Sequence, residues 1–191
     1  MYNIILVSAT PLEHGGLKNL NGVPIFQTGI GKINSAMSMA DILTSDTKVD
    51  LVVNFGSCGN LKNHKVGEVI EVGTTYNNID VRPFAEYGCT PESSDCELKV
   101  SDSGIKCFTT DQIYDNTRSD YAEKYLEMIR TCDIVDMECY SLAYVCKKYG
   151  VKFVSYKWVS DDGDIHKWEE NAAIGFQNFT EQFMQTYYSE Y

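Results

Sequence analysis

Arginine is scarce in this 191-residue chain: Arg82, Arg118 and Arg130 are its guanidiniums, against 27 acidic residues and a net charge of −11. A phosphate backbone calls for a dense basic patch, so nucleic-acid binding is excluded as an expectation. No apolar run reaches the roughly eighteen residues that would span a membrane, and no membrane partner is expected. The seven cysteines are odd in number, contain no C-x-x-C pair, and fall largely in apolar runs where a thiol acts as a small hydrophobe; a disulfide scaffold is not expected. His14, His64 and His166 are scattered without ligand spacing, so neither a metal nor a metal-dependent chemistry is indicated. The third glycine of a dinucleotide fingerprint is missing, since Asn34 stands there, and no cofactor is expected. Internal repeats and linkers are absent too, which leaves one domain over residues 1–191. The opening MYNIILVSATPLE has no basic stretch and runs straight into a strand pattern, so a cytoplasmic location is expected.

What is present alternates. Short apolar runs at 2–7, 23–28, 51–55, 67–75 and 105–109 predict strands. Helical spacing over 32–44, over 117–130 with Thr117 as a cap, and over 167–188 predicts helices. The fold class is therefore α/β, a mainly parallel or mixed sheet between helices. Residues 80–103 are irregular and predict a surface loop of about twenty residues. Trp168, Ala172, Phe176, Phe179 and Phe183 form an aromatic-rich stripe read as sheet packing.

The segment Ile134 to Asp164 carries the chemistry. It reads strand, helix, strand, with Asp136 and Glu138 at one strand end and Asp161, Asp162 and Asp164 at the other. Ligand crevices of open α/β sheets lie outside the carboxyl ends of strands, so both ends would send carboxylates into one crevice. Two readings stand: general acid/base work, or a helix cap at Asp136 and a solvated acidic turn. Three further sites have a comparable double reading. Glu13 either reaches the carboxyl edge of the sheet or helps a helix start at Pro11. The turn Thr28-Gly29-Ile30-Gly31-Lys32 either offers backbone N–H groups to an anion or ribose hydroxyl, or is only a tight turn. Asn54-Phe55-Gly56-Ser57-Cys58-Gly59 reads as a strand end turning sharply, where glycine admits a planar ligand or a positive φ. Ser57 lacks a nucleophile-elbow context.

In this order, TGIGK (28–32), VNFGSCGNL (53–61), KVGEVIEV (65–72), YNNIDVRPF (76–84), VDMECYSLAYVC (135–146) and VSDDGD (159–164) resemble the purine nucleoside phosphorylase/nucleosidase superfamily. The likeness is greatest to 5′-methylthioadenosine/S-adenosylhomocysteine nucleosidases. That resemblance implies a three-layer phosphorylase-like fold, a central mixed sheet partly closed into a barrel with flanking helices. It implies no cofactor and a small-molecule purine nucleoside as substrate. It implies Asp161 as the acid that protonates purine N7, and Glu13 as the group that orients water. Glu138 would grip ribose hydroxyls, with Met137 packed on the sugar. Ser57, Gly59, Ser160, Ile113 and Tyr114 would line the base and sugar pocket. Val81 and Phe84 would belong to a loop that reaches the neighbouring site of a homodimer. Where relatives commonly carry arginine, Lys157 stands here. The function implied is hydrolysis of an N-glycosidic bond, with phosphorolysis, hydrolysis of another nucleoside, or an inactive nucleoside binder as alternatives. The lack of arginine near Glu13 and the glycine turn favours water over phosphate.

Overall fold

The computed structural model describes residues 3–46 and 48–188; Tyr2, in the expected opening strand, lies outside them. Two long central strands dominate, β4 (Leu51–Asn60) and β10 (Lys152–Asp161), paired in parallel along nearly their whole length. Around them stand β1 (Ile4–Ser8), β2 (Asn19–Leu20), β3 (Val23–Gln27), β5 (Val69–Glu71), β6 (Thr74–Asn77), β7 (Glu97–Lys99), β8 (Lys106–Thr109) and β9 (Ile134–Asp136). On its other edge β4 pairs with β1 through Asn54 and then, antiparallel, with β9 at Gly59 and Asn60. The sheet is mixed, as expected.

The expected strand at 67–75 is two. The chain bends at Val72–Gly73, so β5 pairs with β10 while β6 pairs with β8. Gly73 is needed there, since a Cβ would lie 2.7 Å from the Gly104 amide nitrogen. Pairing thus runs from β4 through β10 to β5, across the bend to β6, then β8 and β9, and back to β4. That path curls the sheet toward a barrel whose end carries the carboxylates described below.

The helices are α1 (Lys32–Thr44), α2 (Glu123–Thr131), α3 (Cys139–Tyr149), α4 (Ile165–Asn171) and α5 (Phe176–Tyr188). Both sheet faces are covered, which is why the strands read as continuous apolar runs rather than alternating ones. Leu6, Val53, Phe55 and Trp158 face α5 through Phe179 and Phe183. Ile5, Val7 and Val52 face α1 and α3 through Met39, Leu142 and Cys146. No helix among the described residues is long and apolar enough to cross a membrane.

Four local expectations are corrected. The 54–59 segment is no turn: β4 continues to Asn60 because β10 and β9 give its last residues partners. The helix expected over 117–130 starts at Glu123, since Thr117 bonds back to Asp115 instead of capping. The helix expected over 167–188 breaks at 172–175 into α4 and α5. There the Trp158 indole N–H takes the Ala172 carbonyl at 2.9 Å, and the chain passes so close to Trp158 that only a glycine fits at 175. The irregular 80–103 segment contains β7, a bridge between Thr90 and Ser93, and a disulfide joining Cys89 to Cys96. The other five cysteines are buried free thiols.

A Cβ at Gly175 would lie 2.2 Å from both Cβ and Cγ of Trp158. Gly175→Ala should therefore destabilise the protein by about 1–3 kcal/mol or more, the range of core overpacking, as a lower urea midpoint at unchanged m-value.

Candidate active site

Glu13 reaches the sheet end because both readings of it hold. The chain leaves β1 at Ser8 and forms a 3-10 helix, Pro11–Glu13, capped by Thr10, whose hydroxyl accepts from the Leu12 N–H. Proline at the first position suits that start. The Glu13 side chain folds back: Oε2 accepts from the N–H groups of Ala9 and Thr10 at 3.1 and 3.2 Å. Oε1 accepts from the Ser57 N–H at 2.8 Å and the Ser57 hydroxyl at 3.0 Å. Gly56 is the condition for this: a Cβ there would lie 2.6 Å from Glu13 Oε1. Burial raises the Glu13 pKa, while Lys157, the N–H groups of Ser57 and Thr10 and the Ser57 hydroxyl oppose the rise.

β9 delivers the second group. Asp136 caps α3, with Oδ2 accepting from the N–H groups of Glu138 and Cys139 at 3.3 and 2.8 Å. Its Oδ1 takes the Thr109 hydroxyl at 2.6 Å. Lys157, on β10, places its ammonium 2.8 Å from Asp136 and 3.9 Å from Glu138. Burial alone would raise the Asp136 pKa; the ammonium and the donors outweigh it and hold the carboxyl below its usual range. Burial alone would lower the Lys157 pKa, and Asp136, Glu138 and Glu13 outweigh that, keeping it a cation.

Glu138 is left short of positive charge. Its Oε1 accepts from the Gly31 N–H at 3.0 Å, but the nearest cation already belongs to Asp136. Burial, with Asp136 and Glu13 adding to it against Lys157, pushes its pKa up to about 8. The glycine turn at 28–32 therefore serves a carboxylate: Gly31 donates to Glu138 and Lys32 to Asp111 at 2.7 Å, so neither amide is left for an anion.

Asp161 ends β10. Oδ1 accepts from the Gly163 N–H at 3.0 Å and Oδ2 from the Ser160 hydroxyl at 2.7 Å. Desolvation raises its pKa, Ser160 and Gly163 oppose this, and Asp162 and Asp164 reinforce it. The two later aspartates do belong to the turn: Asp164 caps α4 and Asp162 pairs with Lys167. The strands ending at Asp136 and Asp161 are not paired to each other; each pairs with β4, and Gly59 lies between them. A Cβ at Gly59 would meet Val135 at 2.9 Å and Asp161 at 3.5 Å.

These groups surround a cavity of about 520 Å³, within the usual range for a small-molecule site. Glu13, Ser57, Gly59, Ile113, Tyr114, Met137, Glu138 and Asp161 all line it. Ser160 does not, being buried behind Asp161, which it holds. Val81 and Phe84 lie outside it, and Phe84 is 81% exposed. His166, Trp168 and Glu169 of α4 line the cavity without having been singled out for it. Trp168 leaves the packing stripe because the helix breaks behind it, a break that spacing does not encode. Thr10, Gln112 and Ile30 also line the wall, each within three residues of a residue or turn the motifs had marked. Arg82, Arg118 and Arg130 are tied to Asp80, Asp120 and Glu123 outside the cavity.

The family model for the phosphorylase superfamily matches residues 97–187. The 5′-methylthioadenosine/S-adenosylhomocysteine nucleosidase of Geobacillus sp. (strain WCH70) is 31% identical over 190 residues, covering 87% of this chain and 76% of the relative. The enzyme of the same name from Exiguobacterium sp. (strain ATCC BAA-1283 / AT1b) is 30% identical over 185 residues, with the same 87% and 76% covered. Among solved structures, the Neisseria meningitidis nucleosidase of that name, in complex with methylthio-immucillin-A, superposes with a TM-score of 0.78 at 20% identity, covering 94% of this chain and 96% of that one. Futalosine hydrolase of Helicobacter pylori superposes with a TM-score of 0.79 at 18% identity, over 96% and 97%. These likenesses establish the fold.

Glu138 has a folded-state pKa of about 8, above its free value of 4.5. A carboxyl whose pKa rises on folding favours the folded state when protonated, so its penalty grows between those values and is complete above about pH 8. Glu138→Gln should accordingly raise the ligand-free melting temperature by several degrees above about pH 8 and leave it unchanged near pH 4, at roughly 2–4 °C per kcal/mol relieved. Calorimetry across that range checks it.

Proposed function

Since the chain belongs to the phosphorylase superfamily and, within it, to the 5′-methylthioadenosine/S-adenosylhomocysteine nucleosidases, which are N-glycosyl hydrolases, we propose that it hydrolyses 5′-methylthioadenosine or S-adenosylhomocysteine to adenine and a thio-ribose. The observation that carries the reading is that Asp161, Glu13 and Glu138 line one cavity, with burial raising the Asp161 pKa. Cleaving an N-glycosidic bond leaves positive charge on the sugar and negative charge on the base. Asp161 in its protonated form neutralises the base as it departs. On binding, Glu138 accepts the ribose hydroxyls, with Met137 against the sugar; those donors favour its anion, and that charge, with that of Glu13, stabilises the sugar cation. Glu13 orients the attacking water. Ser57, Gly59, Ile113 and Tyr114 form the walls around base and sugar, and Ser160 holds the acid.

Water is favoured over phosphate by charge. No arginine lines the cavity, Lys157 is matched by Asp136, and two further carboxylates would repel a dianion. The same trio speaks against an inactive binder, which has no use for a carboxyl whose hold on its proton is raised by burial. The homodimer belongs to this reading as well: Phe84, exposed and outside its own cavity, is free to cover a partner's 5′ pocket. So does a cytoplasmic location, where such nucleosides arise.

Purified protein should release adenine from 5′-methylthioadenosine at the same rate with and without phosphate. Asp161→Asn should lower kcat by about 10²-fold or more, the usual worth of a positioned acid, and the wild-type rate should fall as pH rises through the Asp161 pKa. Strict phosphate dependence would make it a phosphorylase. Turnover of futalosine alone would move the substrate to that hydrolase's.

A further inference from the structure

Glu13 holds four hydrogen bonds, and three come from backbone N–H groups that cannot turn away. The fourth comes from the Ser57 hydroxyl, a rotor with one proton to give. Trp168 settles where that proton goes. Its indole Nε1 lies 3.0 Å from Ser57 Oγ, and an indole N–H only donates. Ser57 Oγ must therefore accept from Trp168, and its own hydrogen is left to Glu13 Oε1. The indole sits on α4, joined to the acid by the short turn after Asp161, and forms part of the cavity wall.

We propose that Trp168 is a positioning residue for the hydrolytic reaction, orienting the Ser57 hydroxyl toward Glu13 so that this carboxylate stays aimed at the nucleophile. The role rests on the hydrolase reading above. It is distinct from wall packing, because a phenyl ring fills the same wall without supplying the N–H. Without the indole donor, Ser57 is free to turn and accept from water, and Glu13 loses a donor that favours its charged form. Glu13 is also faced by Lys157 from β10 and by Glu138 from the β9–α3 junction, while Asp161, His166 and Glu169 line the same cavity. None of these charges changes in Trp168→Phe.

The test is a double-mutant cycle on the full chain with wild type, Trp168→Phe, Ser57→Ala and the double variant. In Trp168→Phe, kcat for 5′-methylthioadenosine should fall about three- to tenfold, the weight of one neutral hydrogen bond, with KM changed less than about twofold. The Glu13 titration, followed by carbon-13 NMR of its carboxyl, should move up by roughly half a unit or more. Neither change should appear when Trp168→Phe is added to Ser57→Ala. A higher KM at unchanged kcat, an unmoved titration, or equal losses in both backgrounds would overturn the proposal. If wild type releases no base from any nucleoside, the hydrolase reading fails, and the carboxyl titration still decides whether Trp168 acts through Ser57.

Discussion

The site depends on one buried ammonium. Lys157 sits on a central strand, sealed from water, within reach of Asp136 and Glu138 and inside the field of Glu13. An unpaired charge in such a place costs several kcal/mol, and three carboxylates crowded together without a cation cost more. With Lys157 present the arithmetic is uneven: Asp136 is satisfied by direct contact, and Glu138 keeps a carboxyl whose ordinary acidity is lost. A ligand that brings positive charge or hydroxyl donors to that wall meets a group prepared for it. The single ammonium of Lys157 makes its close contact with Asp136 at 2.8 Å, and Glu138 is left at 3.9 Å.

Backbone geometry supplies the rest. Strands β4 and β10 run side by side until Val159, where the register slips before Asp161 pairs with Gly59. That slip turns the end of β10 into the cavity wall, with Asp161 clasped by Ser160 and Gly163. Glycine recurs along β4 at 56 and 59 for steric reasons, since Glu13 and Val135 occupy the space a Cβ would need. The strand that lines the site thus lacks side chains where Glu13 and Val135 must approach.

Much of this was legible beforehand. Helix α1 falls at 32–44 as its spacing indicates, because one face packs on α3 and the glycine turn starts it cleanly. Asp136 and Glu138 stand at a strand end before a helix, and the motifs nominate Glu13, Asp161 and Glu138 together; all line the cavity. What local pattern missed has a common cause. Gly56 to Gly59 suggest a turn to any reading of propensity, yet the segment is strand since β10 and β9 hold it. Thr117 looks like a cap but answers to Asp115. The 167–188 spacing is continuous, and the break comes from Trp158, on a strand that precedes the helix by several residues but packs directly beneath it.

From the chain by itself came the alternation of strands and helices, the acidic strand ends, the want of arginine for a phosphate, and the family to which the motifs belong. These are local or compositional properties that survive without knowledge of neighbours. Tertiary structure alone decided which carboxylate keeps its proton, since that depends on which side chains share one desolvated space with Lys157. It alone decided that Gly31 serves Glu138, that Ser160 stands behind Asp161 and not in the cavity, and that Trp168 touches Ser57. Those partners are separated by up to 111 residues of chain, and only folding brings them within hydrogen-bond distance.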